Sequence, residues 1–156
     1  MTLISTRRSL LAATYDALAR AQIDLSRTRV GVGWLMETQE VPEIRRQHAA
    51  GARFEWVATG FGALSFFDLH AGVVADATGD ITVGVHAHER SDASRVLGRV
   101  CAAPLAESYS STVRERQLNF PTHSRGSVDW AAVSDQLVHA LHDLSRIAEE
   151  METTRC

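Results

Sequence analysis

The stretch from residue 64 to residue 89 constrains this chain most, because its turn signal and its alternation agree on one register. Asp76-Ala77-Thr78-Gly79-Asp80 fits a type I turn followed by a glycine bulge. Asp stands at the first position and Gly where the backbone turns left-handed. That turn pairs Asp76 with Asp80. Counting outward puts Phe67, Leu69, Ala71, Val73 and Ala75 on one face with Ile81, Val83, Val85 and Ala87. Every member of this set is apolar, and a slip of one residue would exchange the two faces. The apolar face therefore belongs to the core of a β-hairpin.

The opposite face carries Asp68, His70, Asp76, Thr82, His86 and His88. In the same register His70 lies across from His86, and Asp68 across from His88. Opposed residues stand about 5 Å apart at Cβ, close enough to share a proton or a bound ion. Three imidazoles and a carboxylate suit a divalent metal such as zinc, iron or manganese. The same groups suit a His–Asp acid–base pair, in which the carboxylate orients the imidazole and raises its pKa. In either case His86 and His88 are the ligands or bases, His70 the third ligand and Asp68 the orienting carboxylate. Glu55 joins them if strand order brings its strand alongside. The plain alternative is a water-facing sheet surface, which antiparallel sheets routinely have. On a wet face, His86→Ala abolishes any activity at little cost in stability.

Flanking patterns supply the rest of the fold. A helical face of Leu10, Thr14, Leu18, Ala21 and Leu25 predicts a helix over about 6–26, and alternation predicts strands over 29–36 and 53–59. Thr38, Pro42 and Gly51 mark a second helix over about 38–50. A third helix is expected over 92–103, stopped by Pro104, and a fifth strand over 109–120. Ser127 is placed to cap a final helix reaching about 151, with Trp130, Val133, Leu137, Ala140, Leu141, Leu144, Ala148 and Met151 as its apolar stripe. The order α-β-α-β-β-β-α-β-α predicts an α+β domain spanning 1–156, a two-layer sandwich over a mostly antiparallel five-stranded sheet.

Composition removes several chemistries. All sixteen basic residues are arginine, so no Schiff base, P-loop lysine or kinase lysine is available. A net charge of −3 argues against bulk attraction to nucleic acid or anionic lipid. No apolar run approaches the roughly 18 residues of a membrane span. Two cysteines are too few for a disulfide framework and point to a reducing, cytoplasmic setting. Thr6-Arg7-Arg8-Ser9-Leu10-Leu11 has the look of a twin-arginine export signal, but Asp16 and Arg20 interrupt the apolar segment behind it.

Three further groups are candidates. Arg114 and Arg116 alternate on the fifth strand, and with His123, Arg125 and Ser127 before the last helix they can hold an anion. Asp135, His139, His142 and Arg146 share the outer stripe of that helix, where a solvated surface explains them. From the second helix onward, the order α-β-β-β-α-β is similar to the core of restriction-endonuclease-like nucleases. That resemblance implies an acidic residue followed by an acid-x-lysine pair. Asp68 or Asp76 fits the first, whereas a lysine-free chain lacks the second.

Two functional readings follow. One is a non-catalytic binding or accessory domain, a homo-oligomer that recognises a protein partner or small ligand through the polar sheet face. The other is a small enzyme built on Asp68, His70, His86 and His88.

Overall fold

Leu10, Ala13, Thr14, Ala17, Leu18 and Ala21 are all buried and form the inward face of the first helix, α1 (Leu3–Ala21). Thr14 satisfies its buried hydroxyl by donating to the Leu10 carbonyl at 2.8 Å. The helix ends earlier than periodicity predicts, because Gln22 takes a left-handed conformation (φ 53°). Its last turn hands over to a 3-10 turn at Leu25–Arg27. A computed structural model describes residues 3–34, 55–62, 69–76, 78–88, 91–101, 105–110 and 115–154. The helix expected over 38–50 lies outside them.

After α1 come β1 (Thr28–Trp34), β2 (Glu55–Phe61), β3 (Leu69–Ala75), β4 (Ile81–His88) and helix α2 (Asp92–Val100). Then follow β5 (Ala106–Ser110), β6 (Glu115–Asn119) and helix α3 (Trp130–Thr154). The strands form one antiparallel sheet in the order β1-β2-β3-β4-β6-β5. The fold is thus α+β, as expected, but the sheet has six strands rather than five. The single strand expected over 109–120 is a hairpin, with Ser110 paired to Glu115. No Gly, Pro, Asn or Asp punctuates the connection, and its Ser-Ser-Thr-Val run reads as strand by propensity.

α3 packs along α1 and α2 and across β2, β3 and β4. Val133, Leu137, Ala140, Leu141, Leu144, Ala148 and Met151, on one stripe, are all buried, and the core face of the β3–β4 hairpin lies beneath them. Among the described residues no helix is long and apolar enough to cross a membrane.

Ser127 does not cap α3. Its hydroxyl donates to the Ser124 carbonyl, and the helix starts three residues later. The cap is Asp129, whose carboxylate accepts the Ala132 N–H at 3.1 Å while its carbonyl accepts the Val133 N–H. Asp129→Ala is therefore expected to lower stability by about 1 kcal/mol, and Ser127→Ala to leave it nearly unchanged. Paired urea titrations distinguish the two positions.

Candidate functional site

The β3–β4 turn is built as the sequence requires. Asp76 N–H donates to the Asp80 carbonyl at 3.0 Å, and Gly79 sits at φ +93°. The Asp76 carboxylate accepts from Thr78 N–H, Thr78 Oγ1 and Asp80 N–H at 2.7–3.0 Å. It is occupied in holding the turn. Asp76 also lies six residues from His70 along β3, about 20 Å, so it is not part of the histidine cluster.

From this turn the register runs Ala75 opposite Ile81 down to His70 opposite His86 and Leu69 opposite Ala87, as the alternation predicts. His70 Nε2 lies 3.1 Å from His86 Nδ1, with the rings near perpendicular at 88°. Across the next strand pair, His86 Nε2 lies 3.1 Å from Asn119 Oδ1, and Asn119 Nδ2 donates to Gln117 Oε1. The orientation of the Asn119 amide sets the hydrogens. Because Asn119 turns its amide nitrogen to Gln117, its oxygen faces His86, so His86 carries its hydrogen on Nε2. Nδ1 then presents a lone pair to His70 Nε2–H. The result is a directed chain, His70 to His86 to Asn119 to Gln117, crossing β3, β4 and β6 on the face turned away from α1, α2 and α3.

His86 is not on a wet face. It is only 6% exposed, and burial pushes its pKa down to about 3, helped by the charge of a protonated His70 and opposed by the Asn119 hydrogen bond. The low cost in stability expected for His86→Ala is corrected accordingly: the substitution would strand two polar partners.

His88 lies two residues along β4 on the same face, opposite Glu115 in register. Asp68 lies outside the described residues. Glu55 cannot join, because it pairs with Ala75 and shares the helix-side face with Val57. It is 5% exposed there, with Oε1 3.6 Å from the Arg7 guanidinium. Among the described residues, no three His, Cys, Asp or Glu side chains gather into a metal-holding group.

The anion candidates are engaged separately. Arg114 lies outside the described residues. Arg116 projects to the helix side of β6, where it pairs with Glu107 and donates to the Ser94 carbonyl at 2.9 Å. His123 pairs backbone-to-backbone with Ile81 and its Nε2 contacts Gln136. Arg125 N–H donates to Asp80 at 2.8 Å, so the 121–127 loop clamps the hairpin turn. The α3 N-terminus already holds the Asp129 carboxylate.

On α3, Asp135 pairs with Arg20, His142 Nε2 donates to the Ala21 carbonyl at the end of α1, Arg146 pairs with Asp143 and His139 tilts against Phe120. A cavity of about 400 Å³ opens between α1 and α3 beside Ser9, Trp130, Ser134 and Asp135, and its charged lining is already paired internally. Cys101 ends α2, and burial together with the nearby Asp143 charge pushes its thiol up to about 12, far from a reactive thiolate.

Asn119 and Gln117 are the site residues that sequence reasoning missed. Their alternation on a short strand was visible, but nothing in the sequence says that this strand lies beside β4. Comparison with protein-family models, curated proteins and solved structures returns no match for this chain.

Proposed function

We propose that this chain is a non-catalytic binding domain that recognises a partner or small polar ligand through the sheet face opposite the helices. The observation that carries this reading is the directed chain through His70, His86, Asn119 and Gln117. It holds donors and acceptors in fixed order across three strands, the property of a recognition surface. An acid–base enzyme fits less well. Both nitrogens of His86 are committed to protein partners, and a group protonated only near pH 3 is a weak base at neutral pH. Homo-oligomerisation and a cytoplasmic location belong to the same proposal. Both sheet edges, β1 and β5, end the order without a further strand among the described residues, and edges of that kind are natural sites of self-pairing.

The test is a thermal-shift screen of small polar compounds in the presence of chelator, beside Gln117→Ala and sedimentation velocity of the free chain. Expected is a compound that raises the unfolding midpoint of the native protein by several degrees, with the shift lost in Gln117→Ala. Turnover of that compound, or a shift indifferent to Gln117→Ala and to His70→Ala, would sink the reading.

A further inference from the structure

We infer that His70 and His86 form a two-imidazole site for a zinc, nickel or copper(II) ion, which takes the place of the hydrogen the two rings share. The inference stands on the cross-strand geometry and does not depend on the binding-domain reading.

Two nitrogens bound to one tetrahedral zinc ion at about 2.05 Å stand about 3.3 Å apart, and about 2.9 Å apart at right-angled positions. The His70 Nε2 to His86 Nδ1 separation of 3.1 Å falls between these values. An ion sits off the line joining the nitrogens, so each ring must turn by about 35° in the tetrahedral case. His70 is partly buried, which leaves it room for its share of that turn, and His86 makes its own against the Asn119 contact. Register gives the arrangement its rigidity: the two residues are direct partners in a seven-pair antiparallel ladder, so their Cβ atoms are fixed by the backbone.

The outer contact is also in place. Metal-bound histidines typically donate their second ring N–H to a fixed acceptor, which settles the tautomer and aims the lone pair. Asn119 Oδ1 does this for His86, held in turn by Gln117. On binding, His70 changes tautomer from Nε2–H to Nδ1–H, so the ion meets two neutral rings with no net proton release. Two imidazoles without a carboxylate favour copper, zinc and nickel over manganese or magnesium.

Untagged protein, stripped with chelator and dialysed, is titrated with zinc and with copper(II) by calorimetry. His70→Ala is the working variant because that ring is partly exposed, and circular dichroism confirms its fold. His139→Ala/His142→Ala removes the one other described pair of histidines at chelating spacing on a helix. Expected is close to one ion per chain, weakened at least about tenfold by His70→Ala and unchanged in the α3 double variant. Zinc should also move the ¹⁵N resonances of His70 Nε2 and His86 Nδ1. No uptake, uptake indifferent to His70→Ala, or uptake lost with His139 and His142 would overturn the assignment.

Discussion

Metal-free protein is expected to lose on the order of 4–5 kcal/mol of stability through His86 alone as the pH falls from about 6.5 to about 3. In the unfolded chain this imidazole takes up a proton near pH 6.5, whereas in the folded chain burial and the His70 charge defer protonation to about 3. Between those values the unfolded state holds one more proton than the native state. The contribution is therefore fully present above about pH 6.5 and shrinks by about 1.4 kcal/mol for each unit of acidification. It vanishes as the pH passes below the folded value. Urea titrations in chelator at pH 7.5, 5.5 and 4.5 measure it directly. His86→Gln removes the ring that titrates, so its stability should start lower and fall less steeply across the window. Parallel curves for the native protein and the variant would mean that His86 protonates freely in the fold.

The same residue shows how far the sequence could be read. The turn chemistry of Asp76 and Gly79 and the alternation on either side were sufficient to set His70 opposite His86, because a hairpin's register is a local property. The apolar stripe of α3 was legible for a similar reason: periodicity within one helix needs no knowledge of neighbours. What failed was non-local. The hydrogen-bond partner of His86 is Asn119, which reaches it only because β6 inserts between β4 and β5. Glu55 alternates with Val57, which was visible, but which sheet face that alternation selects was settled by pairing with β3. Arg116 reads as a free cation in sequence and is held by Glu107 and the Ser94 carbonyl in the fold. Asp129 rather than Ser127 caps α3, a two-residue displacement of the kind that cap signals alone do not settle.

Replacing Gly84 is the sharper test of the hydrogen-bonded chain, because this glycine keeps the space that Asn119 uses. Gly84 lies between Gly72 on β3 and Asn119 on β6 in register. A methyl group there would stand 2.2 Å from Asn119 Oδ1, 2.6 Å from the Leu118 carbonyl oxygen and 3.1 Å from His86 Nε2. The amide can swing away, but doing so strips the buried His86 N–H of its acceptor, which costs about 1–3 kcal/mol. The Leu118 oxygen is backbone and moves only if β6 shifts, a strain of about 1–3 kcal/mol more. Gly84→Ala should therefore destabilise the protein by about 3 kcal/mol and perturb the ring resonances of both His70 and His86. In an ordinary strand position the same change is mildly favourable, since alanine has less conformational freedom to lose on folding. Gly98→Ala on α2 provides the contrast: its methyl would meet only side-chain atoms, the Arg116 guanidinium at 2.9 Å, which can give way by lengthening its exposed contact with Glu107, and the expected change is within about 1 kcal/mol. A Gly84→Ala protein as stable as the native one, with unshifted histidine resonances, would show that Asn119 does not hold His86. It would remove the outer contact on which both the recognition surface and the metal site depend.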